Sequence, residues 1–333
     1  MLLSGKSENI LNAILKYSDI QTIFALRKVC RTIRNHIDDV KPASDVKIIS
    51  IHLDSNLFKN QIWLISSSKV LHITYEKLQN GCRISWNQSE RFIEDEDFST
   101  LYFNDLKIIM DCRKPMLTDF QVTTHIVPAE LITFLKSRTT PIQSEKFSMT
   151  TTNQSQVMKV FPCFDADYLK EIGIFDIRQN QVNELWKIDA MIELEQWKNA
   201  EKFETFRFFV DEPIHHFLHF MKANFHVKSI STQDLFILKE NYILFPNTFK
   251  FFYVGYQNFL NEEALSSEMG TPYLSTDPTK CNQKRWFFKF PENDHLILII
   301  LLVPNQVFVT CIGLEDVPNE ACIQNRKDLQ GLV

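Results

Sequence analysis

Glycine is scarce in this 333-residue chain: there are seven, and no two lie within five residues of each other. A G-x-G-x-x-G turn, a phosphate-binding P-loop and a G-x-S-x-G nucleophile elbow all need closely spaced glycines, so none can be written here. Long apolar runs are also missing. The longest, Leu296–Val303, stops at Pro304. It falls far short of the ~20 residues of a membrane helix and reads as a buried strand. The seven cysteines are scattered and contain no C-x-x-C pair, which leaves the common zinc and redox spacings unfilled. Lys6 and Glu8 interrupt any secretory signal pattern after Met1, so an odd set of thiols reads as reduced cysteine in the cytoplasm or nucleus. A net charge of −5 argues against general attraction to nucleic acid or an anionic membrane.

What is present is apolar and aromatic. Hydrophobic residues make up 44% of the chain and phenylalanine alone contributes 28 positions, enough to build a sizeable core. The density begins early. Ser7 is a candidate helix N-cap for Ile10, Leu11, Ile14 and Leu15. Ser18-x-x-Gln21 has the form of a capping box, with Asp19 beside it favouring a helix N-terminus. Ile20, Ile23, Leu26, Cys30, Ile33 and Ile37 then recur every three or four residues until Pro42 stops the pattern. Two or three helices shorter than ~40 residues in all cannot bury so much apolar surface by themselves. The surplus packs either on the rest of the chain or on another protein, and periodicity does not choose between them.

The stretch "ILNAILKYSDIQTIFALRKVCRTIRNHID" resembles an F-box. The resemblance is carried by Ile10-Leu11, Ile14-Leu15, Asp19, Leu26, Val29, Cys30, Arg31 and Arg34. "LRKVCRTIRNHIDDVKP" is similar to the F-box of nematode F-box proteins that carry an FTH (DUF38-type) domain. Asn9-Ile10 stands where that family has Leu-Pro, and Ser18 stands where an apolar residue is common. The resemblance implies an F-box over 1–44 that docks on the Skp-type linker subunit of a cullin–RING ubiquitin ligase. Ile10, Leu11, Ile14, Leu15, Leu26, Val29, Cys30 and Ile33 would be the docking residues.

Residues 45–87 read as a small antiparallel β-meander: Val46–Leu53, Ile62–Ile65, then a hairpin of Val70–Leu78 and Cys82–Trp86 about Asn80-Gly81. Over 88–283 a phrase of the form L-x-x-L-x-L recurs at Leu117, Leu169, Phe203 and Phe249, with weaker copies near Ser144 and Val227. Helical patterns fall between the copies at Pro128–Lys136, Gln154–Phe161, Ala190–Phe203, Pro213–Phe220 and Ser231–Leu244. The expected fold is α/β: a short helical F-box, the meander, then a leucine-rich-repeat-like strand–helix solenoid. A C-terminal β-meander over 284–313 would close it, with a polar tail over 314–333. A doubly wound sheet is the alternative, but no glycine-rich turn follows the strands. "MIELEQWKNAEKFETF" and "KRWFFKFPENDHLILI" are similar to the FTH domain, which implies a repeat-like domain that recruits target proteins.

In such a repeat alternate strand residues point outward. Phe175, Arg207, Phe209, Phe251 and Tyr253 would then form an exposed target-binding face, and Arg with aromatics is hot-spot chemistry. A register slip of one residue buries them instead. His215, His216 and His219 could suggest a metal, but H-E-x-x-H is not formed and no third ligand is signalled, so a plain histidine cluster is the reading kept. Glu94–Asp97 lacks the spacing of a calcium loop and reads as a solvated turn. No cofactor, metal or catalytic residue is implied. The resulting expectation is a non-enzymatic adaptor joining a linker subunit to an unidentified target protein. The alternatives are an interaction module uncoupled from the ligase and a hydrolase using His215 or His219.

Overall fold

The N-terminal apolar spacing does produce three helices, with shifted caps. The computed structural model describes residues 5–324 apart from 55–57, 68, 88, 113–115, 179–183, 245–250, 275–281 and 292. Helix α1 is Gly5–Lys16, α2 is Ile20–Arg27 and α3 is Arg31–Val40. Ser7 therefore lies inside α1 and is not its cap. Asp19, not Ser18, caps α2: its carboxylate accepts from the Thr22 N–H at 2.8 Å. An ionised cap adds an attraction to the helix N-terminus that a hydroxyl lacks. Ser18 instead donates back to the Ile14 carbonyl at 2.9 Å, which satisfies a hydroxyl buried where the family pattern has an apolar side chain. Lys41 closes α3 in the left-handed conformation at φ 48°, and Pro42 prevents its continuation.

The chain divides into two compact units, residues 1–169 and 170–333. In the first, strands β1 (Ile48–Asp54), β2 (Lys59–Ile65), β3 (Val70–Leu78), β4 (Gly81–Trp86) and β5 (Ser89–Glu94) are each antiparallel to the next. After helix α4 (Phe98–Asp111), strand β6 (Met116–Thr124) returns parallel to β1. Helix α5 (Ala129–Lys136) leads to β7 (Gln143–Thr151), parallel to β6, and α6 (Gln154–Val157) follows. The sheet order is thus β5-β4-β3-β2-β1-β6-β7. The meander gains a fifth strand and shares one sheet with the parallel strands rather than standing apart from them. Gly81 takes φ 142° while Asn80 is not at positive φ. A Cβ at 81 would collide with the Ile93 carbonyl, so glycine is required by the close approach of β5. Inward rows such as Ile49, Phe120 and Phe147 are fully buried.

The second unit begins with β8 (Glu171–Asp176), β9 (Leu185–Trp186), α7 (Asp189–Ile192), α8 (Glu195–Lys198), β10 (Lys202–Phe206) and β11 (Phe209–Val210). It continues through β12 (Lys222–Ser231), α9 (Thr232–Leu244), β13 (Phe251–Leu260), α10 (Leu265–Met269) and β14 (Tyr273–Leu274). It ends in β15 (Lys284–Phe290), β16 (Asn293–Val303), β17 (Gln306–Gly313) and β18 (Ile323–Gln324). Strands β8, β10, β12 and β13 pair in parallel, and β13 then pairs antiparallel with β17, which continues through β16 to β15. The start of α9 is capped reciprocally: Ser231 N–H donates to Asp234 at 2.8 Å and Asp234 N–H donates to the Ser231 hydroxyl at 3.2 Å.

Several expectations change here. Residues 190–203 hold two single-turn helices before β10 begins at Lys202, and 213–220 hold only a 3₁₀ turn, Ile214–Phe217. The expected polar tail is partly structured, since Ile323 and Gln324 pair with Phe287 and Phe288 of β15; Phe249 and residues 325–333 lie outside the described residues. The repeat phase also moves. Ile172, Phe203, Ala223 and Phe252 are in register on adjacent strands and all are buried. Phe203 therefore matches Ile172, not Leu169, because three aromatics in F-x-x-F-x-F allow two phases. Arg207 at φ 76° then breaks the strand between β10 and β11. Thr205 is 1% exposed in consequence, and Phe206 is 55% exposed.

This register has a direct test in thermal melting. Phe203→Ala should cost ~3–5 kcal/mol, as truncation of a buried Phe does. Phe206→Ser should stay within about 0.5 kcal/mol of wild type. Equal losses would overturn the assignment of the two faces.

Candidate functional site

Adjacent residues on an α-helix point about 100° apart, so adjacent apolar pairs cannot share a destination. Leu11 and Leu15 are buried, while Ile10 is 63% and Ile14 49% exposed. Ile20, Ile23 and Ile37 are buried with Leu11 and Leu15. Val29 in the α2–α3 turn is 65% exposed and Cys30 is exposed; Leu26 and Ile33 are half-buried. Of the eight expected docking residues, Ile10, Ile14, Val29 and Cys30 thus face outward, whereas Leu11 and Leu15 are corrected to interior positions. Tyr17, 84% exposed, was missed; it continues the i, i+4, i+7 spacing of Ile10 and Ile14, which is a legible signal.

Polar contacts fix this face. Arg27 forks onto Asp38 at 2.8 and 2.9 Å, stapling α2 to α3, and Arg34 donates to the Arg27 carbonyl at 3.0 Å. Lys69, ahead of β3, pairs with Asp19 at 2.7 Å. That ammonium, with the hydroxyl and N–H of Thr22, holds the Asp19 carboxyl at about 2. A carboxyl with a folded pKa below its unfolded value of about 4 stabilises the fold above that value, and the contribution disappears as pH falls towards 2. Lys69→Met should therefore melt below wild type near neutral pH, with the gap closing as acid is added. Melting curves across that range check it, and a gap that does not depend on pH would refute the pairing.

In the second unit the buried rows turn alternate residues to the opposite sheet face. Val210 pairs with the buried Val227, which puts Phe209 and His226 on that outward face. Rings then follow one another across β11, β12, β13 and β17. Phe209 meets His226 at 6.3 Å, His226 meets Tyr253 at 5.7 Å, Tyr253 meets Phe308 at 5.0 Å, and Phe308 meets Phe251 at 6.4 Å. Phe175 pairs with Phe206 nearby in sequence order on β8 and β10, and the exposed Arg207 lies 5.5 Å over the Phe206 ring. Phe251, Tyr253 and Phe175 are half-buried, but Phe209 is only 8% exposed, against the expectation of an open anchor.

Phe206 holds an inward position in the repeat phrase that starts at Phe203, yet the register turns it outward; Phe308, in the terminal meander, belongs to no repeat phrase. Gly255 has a specific reason: a Cβ there would collide with the His226 ring. Burial lowers the His226 pKa, so the imidazole is held towards its neutral form, suited to aromatic packing. The apolar β16 is fully covered on one face only. Ile299 and Leu301 remain half-buried, and Leu301 pairs with Phe308.

The histidine cluster resolves differently. The His215 and His216 rings lie 4.1 Å apart, tilted at 41°, in the 3₁₀ turn, and His219 Nε2 lies 3.0 Å from the Trp197 carbonyl. Among the described residues no three His, Cys, Asp or Glu gather in a way that could hold a metal ion. Among them, too, no helix is long and apolar enough to cross a membrane.

Comparison with known proteins gives two domain matches: an F-box domain over residues 7–44 and an FTH domain over residues 126–267. The chain is similar to F-box A protein 224 of Caenorhabditis elegans, 20% identical over 242 residues, which cover 68% of this chain and 59% of that protein. The match thus spans less than two thirds of that relative's length. No solved structure matches. The chain thus carries an F-box domain followed by an FTH domain, and an F-box protein of a nematode is among the proteins it resembles.

Proposed function

We propose that this chain is a substrate-recognition adaptor of a Skp–cullin–F-box ubiquitin ligase. Ile10, Ile14, Val29 and Cys30, flanked by Leu26 and Ile33, dock on the Skp-type linker subunit. The outward aromatic face of the second unit, centred on Tyr253 with Phe251, Phe175 and Arg207, holds a target protein. The chain itself supplies no chemistry: it raises the effective concentration of target beside the partner enzymes. One observation carries the reading, namely that the F-box helices leave Ile10, Ile14 and Val29 at 49–65% exposure after filling their own interior. We read the parallel strands β6, β7, β8, β10, β12 and β13 as leucine-rich-repeat-like. The support is the inward rows shared within each unit.

Val29→Asp is the decisive variant. It places a charge in the desolvated interface at a cost of several kcal/mol, while an exposed site leaves folding within about 0.5 kcal/mol. Linker pull-down should be lost with the melting temperature unchanged. Undiminished pull-down would show the docking face to be wrong. Failure of the wild-type chain to capture the linker would favour the uncoupled interaction module, which the Asn9-Ile10 departure allows.

The target face has a separate expectation. Changing Phe251 and Tyr253 to Ser should weaken target capture by ~2 kcal/mol or more, as loss of central aromatic anchors does. Quantitative affinity capture with the full-length chain, wild type against variant, checks this. Linker binding should be unaffected.

A further inference from the structure

The first unit contains a groove of about 840 Å³ between α2, α3, α4 and the β3–β5 sheet. Its floor is apolar: Ile73, Ile84 and Trp86 from the sheet, Leu101 and Ile108 from α4. None of Ile10, Ile14 and Val29 lines it, so it is distinct from the linker-docking face. Its carboxylates are already engaged. Asp38 is taken by Arg27, Asp111 by Lys41 at 3.3 Å and Arg138 at 3.5 Å, and Asp105 accepts the Tyr75 hydroxyl at 2.6 Å. Four exposed cations remain on the lining: Lys28, Arg34, Arg91 and Lys107. None forms an ion pair with a described residue; Arg34 donates only its Nε–H, to the Arg27 carbonyl, and Lys28 lies 5.1 Å over the Trp86 ring.

We propose that this groove docks an acidic, amphipathic segment of a partner polypeptide. Its apolar side chains would sit on the Trp86 floor and its carboxylates would meet Lys28, Arg34, Arg91 and Lys107. Charge complementarity selects the sign of the ligand, because an apolar floor rimmed by unpaired cations favours anions that also carry apolar groups. The concave floor selects the class. A lipid surface reaches protruding cations but not a recessed aliphatic floor, and a polynucleotide carries charge at each unit with little aliphatic surface to bury. The volume falls within the range of about 300–1,000 Å³ typical of pockets that bury a drug-sized ligand, room for a few side chains.

The test uses the full-length chain and a random-peptide display library. Selection should enrich sequences in which Asp or Glu alternate with Leu, Phe or Trp. The best synthetic peptide should perturb tryptophan fluorescence, and Trp86→Phe should remove that signal. Arg91→Glu combined with Lys107→Glu should weaken the peptide by about tenfold or more, with affinity also falling as salt rises. Both residues lie outside the F-box, so linker capture should persist. If the charge reversal compromises folding, Arg91→Gln with Lys107→Gln and the salt titration carry the same comparison. The proposal is overturned by no enrichment, by a basic consensus, or by unchanged affinity in the variants. It is equally overturned if a single-stranded oligonucleotide or phosphatidylserine vesicles displace the peptide, or if the reversal abolishes linker binding.

Discussion

The buried row Ile172, Phe203, Ala223 and Phe252 determines what the second unit can present. A strand has only two faces, so each side chain committed to the core assigns its neighbours to the other side. Parallel pairing propagates that choice from β8 to β13, and antiparallel pairing carries it to β17. The line of rings from Phe209 to Phe251 is therefore the reverse side of the core rather than an independent feature. Gly255 belongs to the same constraint, because only a residue without a side chain leaves room for His226.

In the first unit the corresponding constraint is helical rotation. Leu11, Leu15, Ile20, Ile23 and Ile37 supply buried positions from the three helices, and the same rotation leaves Ile10 and Ile14 outside. The Arg27–Asp38 fork staples α2 to α3 and Lys69 holds the α2 cap, while His36 Nε2 of α3 lies 2.7 Å from Asn12 Oδ1 of α1. Arg27 and Arg34 thus serve the architecture of the F-box, through a carboxylate and a carbonyl, while the apolar residues between them form its candidate interface.

The short N-terminal helices, the hairpin about Gly81 and the C-terminal meander were legible in the sequence, because each depends on neighbours within a few residues. The split of Ile10-Leu11 and Ile14-Leu15 was legible in principle from the angle per residue, but a family pattern treats each pair as one. Helix α4 also carries local signals, since Asp97 caps it and Tyr102, Leu106, Ile109 and Met110 keep helical spacing, but they sit directly behind an acidic run that reads as a solvated turn. Two things could not be read locally. The phase of Phe203 depends on which residue of β8 it meets, and the pairing of Ile323 with β15 spans more than thirty positions of chain. The cationic groove assembles α2, α3, α4 and three strands, and no short window contains it.

Strand β5 closes one side of its sheet, and among the described residues it pairs only with β4. Its sequence, Ser89-Glu-Arg-Phe-Ile-Glu94, places two glutamates and an arginine along an otherwise open backbone edge. In a chain with 28 phenylalanines, an unprotected strand edge would template cross-strand association between copies. Glu90, Arg91 and Glu94 make that approach costly, so colloidal solubility here depends on a few charged positions as much as on a well-filled interior.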